Sequence, residues 1–235
     1  RLYNAREAAN ALNSDGQTEI SVAAQNSIAQ TLFLDWAKRL EAKLGKVYIR
    51  LTSEKLSDCI DLLNRGHVNY LFCYANGALT LPLDTNKFKY TTVGKEQLIP
   101  VTVPKPDKTP LFRLPGSIEE PLPFVAYAHD SLFGKVVNQL IQGKSHQCFL
   151  SRRYENAYSH MLKSMVKESL GLAWLPKSTI TRDLEQGTLC RAGAEHWDME
   201  FDIRLYYHHD AISTTELAVL EASMKMSEEA LNKPA

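Results

Sequence analysis

Apolar and polar positions along this chain alternate between the two-residue period of strands and the longer period of helices. Thr18 to Gln25 (TEISVAAQ) alternates and then turns apolar, which predicts a strand, and Asn26 and Ser27 behind it offer helix N-caps. Ile28 to Leu44 then carries Leu32, Trp36, Leu40 and Leu44 on one face, which predicts a helix closed by Gly45. Lys46 to Leu51 predicts a second strand. A helix beginning near Thr52 or Ser53 bears Leu56, Ile60 and Leu63 and ends at Gly66, and Val68 to Tyr74 predicts a third strand. Two strand-helix-strand units in succession call for parallel neighbours, because the return path must hold a helix, and such crossovers are almost always right-handed.

Beyond Asn76 and Gly77 the pattern changes. Phe88 to Val93 and Gln97 to Val103 predict two strands, and seven of the ten prolines fall between Pro82 and Pro121, which predicts a crossover between subdomains. Phe124 to Ala128 restarts the alternation. Asp130 or Ser131 then caps a helix with Phe133, Val136, Val137 and Leu140 on its apolar face. Cys148 to Tyr154 predicts a strand, and Tyr158 to Ser169 a helix. After the Gly171 break, the run Leu172 to Leu175 fits a strand buried on both faces, stopped by Pro176 and followed by a helix and by Gly187 opening another strand. Phe201 to His208 predicts the last strand and Thr214 to Leu231 the last helix, with Leu217, Leu220 and Met224 inward. The sum is an α/β protein of two Rossmann-like subdomains with a central cleft, where strand C-terminal ends and helix N-termini would meet a small molecule.

Composition narrows the function classes. The 235 residues balance 27 basic against 27 acidic side chains, so no strong field favours nucleic acid or an anionic membrane. No apolar run approaches the roughly 20 residues needed to span a bilayer, and no signal-peptide core opens the chain. The four cysteines lie far apart without CxxC spacing, which argues against a disulfide framework or zinc site and for buried, reduced thiols in a cytoplasmic protein. Common catalytic and nucleotide-binding motifs (GxSxG, GxxxxGK[ST], GxGxxG, HExxH) are absent, so neither an enzyme nor a cofactor is expected. His208 and His209 are adjacent on a strand, point to opposite faces, and do not readily share a metal.

Candidate binding residues sit where the elements open into the expected cleft. Asn26 and Ser27 would place free backbone N–H groups and a helix dipole before an anion, and Ser27 can cap its helix and still touch a ligand. His129, Asp130 and Ser131 occupy the matching place in the second half. Arg152 or Arg153, at a strand end, could pair bidentately with an anion, though alternation lets only one point inward. Cys73 and Tyr74 end the third strand, where Tyr74 could offer a ring face and a hydroxyl. Met161 and Met165, four apart on one helix face, are expected in the core rather than as oxidant sensors.

The order of these pieces resembles the effector-binding region of LysR-type transcriptional regulators. GLAWLPKSTITRDLEQGTL is similar to that family's GLGIALLP…L..G.L signature, with Gly171, Leu175, Pro176, Leu184, Gly187 and Leu189 in register. QLIPVTVPKPDKTPLF resembles the strand before the family's HPLA segment, with Thr109 where His is common. PFVAYAHDSLFGKVVNQL and IRLYYHHDAISTTELAVLEA resemble the start of the second lobe and the final strand and helix. FCYAN, SLFGKVVNQL and GLAWLP look most like the hypochlorite-responsive branch, although Tyr158 falls near the place expected for a sensing methionine, and Val68-Asn69-Tyr70 stands where an Asp is usual.

The resemblance implies a periplasmic-binding-protein type 2 like fold. Residues 1–17 would be the end of a linker helix and a turn, 18–100 with 205–235 subdomain I, and 101–204 subdomain II. It implies a small, often anionic effector in the cleft, held among Asn26, Ser27, Ile28, Tyr74, Val101, Thr102, His129, Ser131, Phe133, Arg152 and Tyr154. It implies a homodimer or homotetramer and DNA binding through an N-terminal winged helix-turn-helix domain cut away from this chain, whose Arg1 start suits a processed or truncated protein. Two other readings keep the same architecture or residues: a periplasmic solute-binding protein, and an oxidant sensor of the same regulator family. An enzyme of unknown reaction is a third.

Overall fold

The computed structural model describes residues 19–76, 81–143, 147–209, 215 and 218–223. The expected helix at Arg1 to Leu12 and most of the one at Thr214 to Leu231 lie outside them. The chain divides into two compact units, one of Arg1–Lys95 with Asp202–Ala235 and one of Glu96–Phe201.

In unit 1, strand β1 (Glu19–Gln25) pairs in parallel with β2 (Tyr48–Glu54) and with β3 (Tyr70–Ala75); with β4 at Phe88–Thr102 and β9 at Met199–His208, the order runs β2-β1-β3-β9-β4. β9 (Met199–His208) lies antiparallel to β3, so the sheet is mixed rather than wholly parallel. All six residues of β3 are buried, as a strand covered on both faces requires. On one face, α2 (Leu32–Leu44) sets Trp36 edge-on to Phe72 at 5.1 Å, and the indole N–H donates to Ser223 Oγ at 2.9 Å. On the other, Cys59, Ile60 and Leu63 of α3 (Leu56–Asn64) pack with Leu71 and Cys73. Asn69 fastens the start of β3 to β1: its Oδ1 accepts from Ser21 Oγ at 2.6 Å, and its backbone N–H donates to the Ser21 carbonyl at 2.9 Å.

Two expectations change here. The helix predicted from Ile28 to Leu44 is broken at Thr31, whose φ of −125° and ψ of −95° separate a short α1 (Asn26–Gln30) from α2. The apolar stripe runs straight through the break, so periodicity carries no sign of it. The strands predicted at Phe88 to Val93 and Gln97 to Val103 are one 15-residue strand, β4 (Phe88–Thr102). Gly94 is not a turn: a Cβ there would stand 3.0 Å from Leu32 Cδ1, so the glycine lets α2 approach the strand.

Unit 2 takes β4 onward. β4 pairs antiparallel with β7 (Ala173–Pro176) and with the two-residue β8 (Cys190–Arg191). β5 (Leu122–Tyr127) pairs in parallel with β6 (Leu150–Asn156) and meets the β7 segment through a Phe124–Leu172 bridge. Gly171 makes that bridge possible, because a Cβ would lie 2.6 Å from the Pro123 carbonyl oxygen, which accepts the Leu172 N–H at 2.9 Å. The Pro-rich run after β4, expected as a crossover, stays inside unit 2; the chain changes unit at Lys95–Glu96 and at Phe201–Asp202, within β4 and β9.

The stretch that carries the family-like motif is held by a buried acid. Asp183 of α6 (Lys177–Glu185) meets Lys163 Nζ at 2.5 Å and Lys167 Nζ at 2.8 Å, both from α5 (Ser159–Lys167). Burial alone would push this carboxyl up, but the two ammonium groups and the Thr188 hydroxyl outweigh it and hold it at about 2. Met161, expected in the core, is instead 39% exposed, because Ser159, Leu162 and Val166 form the buried face of α5.

Candidate functional site

In unit 1 the carboxyl ends of β1 and β3 are locked together by Gln25, whose Oε1 accepts the Tyr74 N–H at 2.7 Å. Sequence reading passed over this residue, though a Gln at the end of an apolar strand is its signal. Gln25 also holds the N-cap position of α1, so Asn26 and Ser27 are first-turn residues and not the caps expected. Asn26 Nδ2 donates to Ser53 Oγ at 3.3 Å, and its Oδ1 accepts from Gln30 at 2.9 Å. Ser27 is buried, with its carbonyl accepting from Thr31 Oγ1 at 2.8 Å, and Ile28 and Tyr74 are fully covered. Asn26, Ser27 and Ile28 thus open α1 directly behind β1, and Tyr74 lies near the end of β3, tied to β1 through Gln25.

In unit 2 the strand ends contribute two groups. Val101 lies opposite Ala173 and Arg191, and Thr102 opposite Cys190. Both are fully buried, and the Thr102 hydroxyl makes no hydrogen bond among the described residues. At the end of β5, exposed His129 leads into Ser131, which does cap α4 (Leu132–Gln142): its Oγ accepts the Gly134 N–H at 3.0 Å and donates to the Ala128 carbonyl at 2.7 Å. Phe133 is buried between Tyr127 and Phe201, with ring centroids 5.3 and 5.2 Å away.

Arg152 and Tyr154 do not end their strand. They lie within β6, opposite Phe124 and Val125, with a bulge that leaves Arg153 unpaired between them. The Arg152 guanidinium lies 6.0 Å from the Phe124 ring centroid and reaches Asn138 Oδ1 of α4 and Glu155 at 3.4 Å, and Tyr154 is 42% exposed. Arg152 is thus engaged along the flank of the strand.

A buried acid on β4 also escaped the sequence reading. Glu96 accepts from the backbone N–H groups of Gln97 and Ser178 at 3.0 and 3.2 Å and from Ser178 Oγ, at the start of α6. Burial pushes its carboxyl up, while those donors pull against the shift.

The cysteines divide. Cys59 and Cys73 are buried, but Cys148 and Cys190 are only half-buried, against the expectation of four buried thiols. Burial raises the Cys59 thiol to about 11 and the Cys73 thiol further, so neither carries a ready thiolate. Among the described residues no group of three or more His, Cys, Asp or Glu is placed to hold a metal ion, and no helix is long and apolar enough to cross a membrane.

Comparison with known proteins places this architecture. Residues 13–225 match the family model described as "LysR substrate binding domain". Two curated Escherichia coli proteins, the "HTH domain-truncated transcriptional regulator QseD" of strain O157:H7 and the "HTH-type transcriptional regulator YjiE" of strain K12, are each 24% identical over 135 residues. That match covers 57% of this chain and 52% and 42% of theirs, so the chain matches about half the length of these relatives. The apo regulatory domain of HypT from Salmonella typhimurium superposes with a TM-score of 0.72 at 18% identity, covering 88% of this chain and 95% of that one. Vibrio fischeri DarR in complex with DNA gives 0.76 at 21% identity over 96% of this chain and 75% of that one. Those solved structures carry the fold, and the family model, spanning nearly the whole sequence, carries the assignment: this chain belongs to the LysR substrate-binding domain family.

Proposed function

We propose that the chain is the effector-sensing part of a LysR-type DNA-binding transcriptional regulator, a regulator and not an enzyme, working in the cytoplasm as a homodimer or homotetramer. DNA would be held by a winged helix-turn-helix domain of the kind the family carries. The effector is a small anion, and Thr102, His129 and Ser131 of unit 2 are the groups assigned to it. The observation that carries this reading is the Thr102 hydroxyl, fully buried at the end of β4 without a hydrogen-bond partner among the described residues. A buried hydroxyl left unpaired costs about 1–3 kcal/mol, and a ligand oxygen would recover it. Effector binding shifts a regulator only by its differential affinity for two arrangements, so a group satisfied only when ligand is present suits the task.

The test is thermal-shift screening against organic acids with the wild type and Thr102→Val. Removing an unpaired buried hydroxyl leaves the ligand-free melting temperature unchanged or higher. The stabilisation by a bound acid falls, by about tenfold in affinity for one lost hydrogen bond to a charged group. A variant that melts lower without ligand, or binds the acid as well as the wild type, refutes the role of Thr102.

A further inference from the structure

We propose that unit 2 carries a second anion site, apart from the Thr102 group, that takes a small organic molecule bearing two or more acidic groups. A cavity of about 1050 Å³ lies between the segments 108–115 and 191–197. Lys108, Arg113, Arg191 and His196 line it, and among the described residues no Asp or Glu does. Its apolar floor is Leu114 and Trp197, both buried.

The walls are fixed by the fold. The Leu114 N–H donates to the Ala192 carbonyl at 2.7 Å, and the Trp197 carbonyl accepts from the Trp174 indole at 2.9 Å. Arg191 is aimed by Asp198 at 2.5 Å and by the Gly193 carbonyl at 3.4 Å, so its charge is partly answered. Lys108 and Arg113 differ. Neither side chain makes an ion pair or hydrogen bond among the described residues, yet both line the cavity. Lys108 also holds φ of +67°, a left-handed conformation in which Gly or Asn is the usual choice. Two unanswered cations and a third, prearranged guanidinium around one apolar floor match a ligand with several acidic oxygens on a compact carbon frame. A lone carboxylate brings a single negative charge to three cations, whereas two or more acidic groups answer more of them.

Citrate is the probe, titrated calorimetrically into the whole chain beside acetate, with the paired substitution Lys108→Gly and Arg113→Ala. Glycine suits the left-handed backbone and Arg113 is exposed, so the double variant should melt no lower than the wild type. Citrate should bind saturably and acetate at least about tenfold more weakly, and the double variant should lose about tenfold or more in citrate affinity. Thr102→Val should leave citrate binding unchanged, which separates this site from the proposed effector site. The proposal is overturned by the absence of saturable citrate binding, by equal affinity for acetate, by a double variant that binds as the wild type does, or by loss of citrate binding in Thr102→Val.

Discussion

Replacing Asp183 with Asn tests the energetic centre of unit 2. The carboxylate is 8% exposed and takes Lys163 at 2.5 Å, Lys167 at 2.8 Å and the Thr188 hydroxyl at 3.1 Å. Cutting one partner out of a fully buried ion pair costs about 3–5 kcal/mol. Here the lysines are 28% and 44% exposed and can turn to water, so the loss is smaller. A carboxyl held at about 2, against an ordinary value near 3.9, gives an independent figure of about 2 kcal/mol at neutral pH. For a chain of this size that lowers the melting temperature by about 4–8 °C. Because the folded-state value is depressed, this stability is fully present above about pH 4 and drains away as pH falls toward about 2. Urea unfolding of wild type and Asp183→Asn at about pH 7, 5 and 3 should show a gap that narrows across the last interval. A gap below about 0.5 kcal/mol at neutral pH, or one as large at about pH 3 as at about pH 7, refutes the reasoning.

Gly171→Ala forces a methyl to within 2.6 Å of the Pro123 oxygen and should cost about 1–3 kcal/mol by chemical denaturation; a neutral outcome would mean that the β5–β7 junction yields freely. Asn69→Ala removes the side-chain tie to Ser21 and should cost about 1–2 kcal/mol by the same measurement, and no loss would show that the backbone ladder alone sets the β1–β3 register. An alkylating reagent near neutral pH should label Cys148 and Cys190 well before Cys59 and Cys73, because burial keeps the latter pair as thiols. Mass spectrometry that finds Cys73 labelled first would refute this order of reactivity.

Element order was readable because each strand and helix buries a face, and burial leaves a period in the sequence. What escaped was conformation set by contacts between segments. The break at Thr31 lies inside an unbroken apolar stripe, and Gly94, in the gap between the two expected strands, stands there because Leu32 of α2 packs against it. The same limit applies to the site. Ser131 was legible as a cap because a cap is a local device, and the hydrogen bond to Gly134 N–H is three residues long in sequence. The apolar run that predicts this strand ends near Arg152, whereas β6 continues to Asn156, and the Asn138 partner of Arg152 lies 14 residues away in sequence. Gln25 and Glu96 went unnoticed because their partners, Tyr74 and Ser178, are 49 and 82 residues distant.

The position of β9 between β3 and β4 carries a consequence for the order of events during synthesis. β3 and β4 follow one another in the chain but are not neighbours in the sheet; the strand that joins them is made of residues from Met199 onward. Unit 2, one uninterrupted segment from Glu96 to Phe201, can emerge from the ribosome whole and fold first. Unit 1 waits, its first strands paired and its sheet open at β3, until the tail arrives to fill the gap. A polypeptide stopped early would therefore lose the half made first and keep the half made second.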